Sequence, residues 1–257
     1  MKTIGFIGGG RITRIFLHGW TKGGRSVTGI RVFDPNREVL EKLKTDFPGI
    51  QVSNDDLSSA AGSGIVFLAV HPPVMMDVLN TIRSFVTGTT VIISLAPKFT
   101  IEKIESVLGN IAGIVRMNPS ACSFIQKGLN PICFPKGFDP GLKQEVRELL
   151  EPLGAMPEVQ ESKIEAYAMI NAMGPTYFWF QIRKLKELAV SFGMDESEAE
   201  GVIARMLEGT ANTLFHSGLT YDQVADLIPV KPIGQAEETI RAIYDQYLPS
   251  LFNKIKP

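Results

Sequence analysis

Gly8, Gly9 and Gly10 stand in the run Thr3-Ile4-Gly5-Phe6-Ile7-Gly8-Gly9-Gly10-Arg11-Ile12-Thr13, where an apolar stretch gives way to a helical pattern. Residues of this type at this spacing hold a pyrophosphate. Gly8 permits a tight turn and Gly10 lets the backbone approach the anion. The helix opened by Arg11 and Ile12 aims its free amides and positive dipole end at that anion. Arg11 adds a full charge. The chain has 24 glycines, so the placement between an apolar strand and an amphipathic segment is what gives the motif weight. The third motif position is Thr13, where glycine or alanine would bring helix and strand closer.

A second apolar run, Gly29-Ile30-Arg31-Val32-Phe33, ends at Asp34, about 20 to 25 residues beyond the glycines. A carboxylate there hydrogen-bonds the adenosine ribose of a dinucleotide. Asp34 favours NAD, whereas Asn36 and Arg37 suit the extra phosphate of NADP, so the cofactor is read as NAD(P)H. Asp34-Pro35-Asn36 also reads as a helix start, with Asp34 as N-cap and Pro35 in the first helical position.

These groups need a scaffold, and the rest of the pattern describes one. Strand-like runs at 65–70, 90–94 and 114–117 alternate with helical patterns at 74–85 and 100–108, the rhythm of β-α-β units in a parallel sheet. Pro119, Pro131 and Pro135 punctuate shorter strand-like pieces. A helix at 139–150 follows, and a strand at 155–159 is expected to close the sheet. From about Ser162 the rhythm changes to long helices at 175–192 and 197–215. Asp195 and Glu198 stand in capping-box spacing at the start of the second, as do Thr220 and Gln223 at the start of a shorter helix. Pro229 and Pro232 precede a last helix from about Gly234. The fold expected is α/β: an N-terminal Rossmann-type doubly wound parallel sheet over residues 1–160, followed by an all-helical C-terminal domain over 161–257. The helix carrying Tyr177, Phe178, Trp179, Phe180 and Ile182 is apolar nearly all round, which demands burial against its own domain or a partner subunit.

Composition narrows the function. The 257 residues carry a formal net charge of −1 and no dense Lys/Arg block, so there is no electrostatic footprint for nucleic acid or an anionic membrane. A small-molecule substrate is expected. The sequence runs directly into a strand, with no long uncharged apolar stretch, so neither a signal peptide nor a transmembrane helix is expected and the cytoplasm is the expected compartment. Cys122 and Cys133 are too few for a disulfide framework and lack C-x-x-C spacing, and they read as reduced thiols. His18, His71 and His216 are scattered, so no metal site is expected.

Four blocks carry a resemblance over nearly the whole chain. Gly5-Phe6-Ile7-Gly8-Gly9-Gly10-Arg11-Ile12 is similar to G-F-I-G-x-G-N-M, and Val66-Phe67-Leu68-Ala69-Val70-His71-Pro72 to V-F-L-A-V-K-P. Val115-Arg116-Met117-Asn118-Pro119-Ser120 resembles R-x-M-P-N, keeping the arginine and proline, and Gly174-Pro175-Thr176-Tyr177 resembles G-P-A-Y. In this order they resemble the pyrroline-5-carboxylate reductase family, in a divergent form. Glu161 and Glu165 fall where that family has acids. The resemblance implies hydride transfer from a nicotinamide cofactor to the C=N carbon of a cyclic imino acid, giving an amino acid such as proline. It also implies a homodimer or ring of dimers with intertwined helical domains. It places Ala69, Val70, His71, Pro72 and Ser94 beside the cofactor, His71 near the nicotinamide ribose.

The departures bear on the substrate. Asn171-Ala172-Met173-Gly174 stands where the family reads S-G-S-G, so both serines are missing. Asp226-Leu227-Ile228-Pro229-Val230-Lys231-Pro232-Ile233-Gly234-Gln235 stands where it reads D-x-V-x-S-P-G-G-T-T, a loop that holds the substrate carboxylate. The threonine pair is absent, Pro232 offers no amide hydrogen and Ile233 adds bulk. The catalytic candidates are therefore Lys231, as a point charge for a carboxylate, and Asn171, as a hydrogen-bond donor alongside Gln235. Tyr177, with Lys231, is a weak acid for the imine nitrogen. Ser94-Leu95-Ala96-Pro97 replaces S-x-A-A-G, placing Pro97 at a flexible glycine near the cofactor. Two alternatives stay open: a reductase of a small carbonyl acid, with Lys231, Asn171 or His71 facing the developing alkoxide, and a non-catalytic dinucleotide-binding paralogue with a regulatory role.

Overall fold

A computed structural model describes residues 2–109 and 111–257. The chain begins β1 (Ile4–Ile7), α1 (Arg11–Lys22), β2 (Arg31–Phe33), α2 (Arg37–Asp46), β3 (Gln51–Ser53), α3 (Ser58–Ala61), β4 (Ile65–Leu68), α4 (Met75–Ile82), β5 (Val91–Ser94), α5 (Ile101–Leu108) and β6 (Gly113–Met117). Two-residue strands β7 (Gly128–Leu129) and β8 (Ile132–Cys133), α6 (Pro140–Leu150), and β9 (Gly154–Ala155) follow. The remainder is helical: α7 (Ile164–Tyr167), a π-helical stretch (Ala168–Ala172), α8 (Gly174–Ser191), α9 (Glu196–His216), α10 (Tyr221–Asp226) and α11 (Glu237–Ile255).

The sheet runs β3-β2-β1-β4-β5-β6-β8, parallel throughout except for the antiparallel β6–β8 pair. All residues of β1, β4 and β5 are buried, as expected of strands covered on both faces. Ile7 lies opposite both Phe33 and Leu68, and Leu68 opposite Ser94, so β1, β2, β4 and β5 end abreast. The chain winds outward from β1 through β3, then returns to β4, which puts the topological switch point between β1 and β4.

Alternation along the strands feeds two cores. Phe6 and Phe67 stack at 4.5 Å on one face, joined by Phe16 and Trp20 from α1. The Trp20 indole donates to the Leu149 carbonyl at 2.8 Å, so this large ring leaves no buried donor unpaired. Ile7, Leu68, Leu79, Ile92 and Ile104 fill the other face. Each fully buried side chain of this size contributes about 1.5–3 kcal/mol. His18 packs edge-on against Phe47 at 4.8 Å, and burial pushes its imidazole below the ordinary value, which gives it a packing role.

The structure departs from several expectations. The strand expected at 155–159 does not close the sheet: β9 pairs with β7 in a separate ribbon, and the rest makes one bridge, Ile132 to Glu158. Pro157 explains this, because it has no N–H to extend a ladder. Asn36, not Asp34, caps α2, its side chain accepting from the Glu38 and Val39 amides. Asp195 stands at the N-cap of α9 but makes no capping hydrogen bond. Thr220 and Gln223 do form the reciprocal capping box of α10. Counting along S-x-A-A-G puts the glycine on Lys98, not Pro97, and Lys98 is the residue in the left-handed region, at φ 71°. A side chain in that conformation costs roughly 1–3 kcal/mol.

The contacts divide the chain into two compact units, Met1–Ala172 with Phe252–Pro257, and Met173–Leu251. In the second unit, Lys186 ties α8 to α9 through Glu196 at 2.9 Å and Glu200 at 2.5 Å. Only Gly174, Ala199 and Ile203 are buried between 173 and 251.

Candidate functional site

At the switch point, β1 ends in a backbone conformation that its sequence makes possible. Gly8 has φ 106°, and a Cβ there would lie 2.5 Å from the Ala69 carbonyl oxygen, so both the turn and the approach of β4 require glycine. Its amide donates to the Phe33 carbonyl at 2.8 Å, tying the turn to the end of β2. Gly10 is the N-cap of α1, and a Cβ built on it would meet nothing within 4 Å. The first turn of α1 therefore opens onto free space, with no acidic residue in it and no side chain capping its amides. This is a cradle for an anion.

Thr13 occupies the third motif position without loosening the turn. It is fully buried, and its hydroxyl donates to the Gly8 carbonyl at 2.6 Å, fastening the helix to the glycine turn. The sequence marks Thr13 only as a departure from glycine or alanine. Its compensation needs the coordinates.

Asp34 sits at the end of β2 as the spacing requires. One carboxylate oxygen accepts from the Gly9 amide at 2.8 Å and the other from the Asn36 amide at 2.9 Å. The carboxylate is thus held against the glycine turn, with acceptor capacity left for a ribose hydroxyl. Arg11 and Arg37, each first in its helix, are exposed, while Ile12 is half-buried against the core. Asn36 spends its side-chain oxygen on the α2 cap.

Beyond β4, Ala69 and Val70 are half-buried, and the Ala69 amide donates to the Ile7 carbonyl at 2.8 Å. His71 is exposed and Pro72 begins a short 3-10 turn. Ser94 differs: it is 1% exposed, and its hydroxyl has no hydrogen-bond partner among the described residues.

Arg116, which the sequence offers only as part of a matching block, forms the strongest electrostatic cluster. It is buried at the end of β6 and bonds Glu165 at 2.5 Å and Glu161 at 3.1 Å. Glu165 is itself 3% exposed, and Glu161 also accepts the Ile101 amide at 2.7 Å. Two acids four residues apart sharing one guanidinium pin the start of the helical run to the sheet. Beside them burial pushes the Cys133 thiol above its ordinary value, away from nucleophilic chemistry at neutral pH.

The three expected catalytic residues have separate surroundings. Asn171, in the π-helical stretch of the first unit, donates its side-chain amide to the Leu129 carbonyl at 2.6 Å. Tyr177, in the second unit, lines an apolar groove of about 440 Å³ with Phe180, Ile240, Ile243, Tyr244 and Tyr247. Burial, and secondarily Tyr244, pushes the Tyr177 hydroxyl above its ordinary value. Lys231 is exposed in a turn closed by the Gly234 amide on its carbonyl at 3.0 Å, and it does not line that groove.

Residues 3–98 match a family model described as NADP oxidoreductase, coenzyme F420-dependent, and residues 161–255 match one described as pyrroline-5-carboxylate reductase dimerisation. Among curated proteins, the chain is 31% identical to pyrroline-5-carboxylate reductase 3 of Xenopus laevis over 217 residues, 83% of this chain and 78% of that one. Among solved structures, it is similar to a pyrroline-5-carboxylate reductase from Coxiella burnetii. That likeness has a TM-score of 0.68 and 26% identity, covering 99% of this chain and 94% of the other. The Plasmodium falciparum pyrroline carboxylate reductase with NADP bound shares the fold at a TM-score of 0.73 and 19% identity, covering 99% and 94%.

Proposed function

The chain belongs to the pyrroline-5-carboxylate reductase family, and from that premise we propose that it reduces the C=N bond of a cyclic imino acid. It is an NAD(P)-dependent oxidoreductase with a nicotinamide site in its Rossmann-type sheet and an oligomerising helical region. The observation that carries the reading is the open α1 N-terminus over a glycine turn clamped to Asp34. Relatives of this kind favour it over a non-catalytic role.

The nicotinamide cofactor supplies the hydride. Behind the Gly8 turn, the amides of Gly10, Arg11 and Ile12 at the open first turn of α1 hold the pyrophosphate, while the Gly9 amide stays on Asp34. Asp34 accepts from the adenosine ribose, with Asn36 and Arg37 at the same rim. Ala69, Val70, His71, Pro72 and Ser94 form the wall at the nicotinamide end. A protonated imine is already electrophilic, so the side chains mainly place it and keep its nitrogen protonated. Burial raises the Tyr177 hydroxyl further above neutral pH, so it stays protonated. Lys231 supplies charge to the acceptor, and Asn171 has one amide hydrogen left for it beyond the one on the Leu129 carbonyl.

In this division of labour residues 1–160 bind the dinucleotide, and residues 161–257 serve dimerisation and the substrate. The assembly is a homodimer or a ring of such dimers. No helix among the described residues is long and apolar enough to cross a membrane, and we place the enzyme in the cytoplasm.

The test is NADH and NADPH oxidation, followed at the cofactor's absorbance, with pyrroline-5-carboxylate, other cyclic imines and small oxo acids as acceptors. Turnover of pyrroline-5-carboxylate is expected. Cofactor binding with turnover of oxo acids alone would overturn the substrate class.

A further inference from the structure

Asp34 and the Gly8–Gly10 turn fix the adenosine and pyrophosphate on the β1–β2 side of the switch point, so the nicotinamide end lies over the ends of β4 and β5. β5 ends abreast of β4, with Leu68 opposite Ser94 and the Leu95 amide donating to the Leu68 carbonyl at 3.2 Å. Three residues further stands Lys98.

Lys98 is one of two non-glycine residues with positive φ among the described residues, and each sits in a local turn. Gln126, at φ 64°, ends a short 3-10 turn, and its amide closes that turn on the Ser123 carbonyl. No hydrogen bond or ion pair engages Lys98 among the described residues. It is exposed between Ala96 and Phe99, both buried, which fix the loop on either side of it. Pro97 and Lys98 are the central residues of a turn, with the proline ahead of the positive φ as in a type II turn, and that turn presents a free cation at the carboxyl edge of the sheet. In the loop at 229–235 Pro232 offers no amide hydrogen and Ile233 adds bulk, so a second cation beside Lys231 strengthens the hold on an anionic acceptor.

We propose that Lys98 is an anion anchor of this reductase in addition to Lys231, its ammonium pairing with the carboxylate of the imino acid held over the nicotinamide end of the crevice. The proposal rests on the reductase reading above and names a residue that holds the acceptor's acid group.

Glycine takes φ 71° without strain, so Lys98→Gly keeps or raises the melting temperature and separates loss of function from loss of fold. Losing one charge-assisted contact raises KM for pyrroline-5-carboxylate about ten- to a hundredfold in Lys98→Gly and Lys98→Gln. Over the same variants KM for 1-pyrroline, which lacks the carboxylate, and Kd for NADH stay at wild-type values, and Lys98→Arg recovers most of the loss. Unchanged KM for pyrroline-5-carboxylate, or equal loss for both imines, overturns the proposal. Calorimetry of pyrrole-2-carboxylate binding to the protein–NADH complex tells the two readings apart. If no imine is reduced but pyrrole-2-carboxylate binding depends on Lys98, the reductase reading falls and the anchor stands. Binding that Lys98→Gln leaves intact, or no binding to wild type, overturns the anchor.

Discussion

The first unit encloses Phe6, Phe16, Trp20 and Phe67 completely, whereas the second leaves Trp179, Phe180 and Phe192 53%, 67% and 79% exposed. The residue types are similar and their fates opposite. In the sheet, period-two alternation sends apolar side chains to two faces, and α1, α4, α5 and α6 cover both. In the helical unit the first turns of α8 carry Tyr177, Phe178, Trp179, Phe180 and Ile182 on all sides, and one chain offers too few neighbours to cover them. A region that buries three residues in seventy-nine does not gain enough from its own packing to offset its chain entropy. The contrast teaches that the cofactor half is finished by its own sequence, while the helical half is finished by assembly.

If the first unit is self-sufficient, its weakest point is internal. Arg116→Ala strands Glu165 as a buried unpaired charge, and denaturant unfolding should register a loss of about 3–5 kcal/mol. A loss under about 1 kcal/mol would mean that the cluster is solvated and that the enclosure of this half is overstated.

The helical half should respond to a change of surface. Trp179→Asp with Phe180→Asp is expected to weaken association by about 2–4 kcal/mol, thirty- to a thousandfold in dissociation constant, by light scattering across a dilution series. NADH binding should survive. An oligomer that persists at every dilution would show that this apolar face is not what the assembly covers.

Gly8→Ala tests whether the crevice tolerates any side chain at the turn. The added Cβ meets the Ala69 carbonyl at φ 106°, and a stability loss of about 1–3 kcal/mol is expected, with weaker NADH binding by fluorescence titration. Wild-type affinity would sever the turn from the cofactor.

The smallest effects discriminate most finely within the helical half. Thr220→Ala removes a complete capping box and should cost about 1 kcal/mol, whereas Asp195→Ala removes no capping bond and should cost only a few tenths. Equal melting-temperature shifts in the two variants would contradict the distinction.

What the sequence discloses follows the same divide. β1, β4, β5 and α1 are legible because four or more residues with one period suffice to mark an element, and Asp34 is legible because a ribose fixes its distance from the turn. Strands of two residues, β7, β8 and β9, have no period to read, and β3 and α3 are nearly as short. Thr13 is visible in the sequence as a residue type but not as a solution, and Lys98 is passed over for Pro97, since neither a hydroxyl aimed at the Gly8 carbonyl nor a φ of 71° has a local pattern to announce it. The pairing of Arg116 with Glu165 spans 49 residues, beyond any local pattern. Of the candidate catalytic residues, the sequence named types suited to the chemistry, but it could not show that Asn171 spends its amide on Leu129.

The π-helical stretch at Ala168–Ala172 has a further consequence. An α-helix advances about 100° per residue, so a turn wound one residue wider changes the phase of everything that follows it. Ala168 to Ala172 follow Ile164–Tyr167 as such a turn, and the azimuth at which Asn171 leaves it toward the Leu129 carbonyl is set there by residue count. Deleting Met169 or Ile170 would keep the Asn171 side chain and turn it from that carbonyl by more than a quarter of a circle.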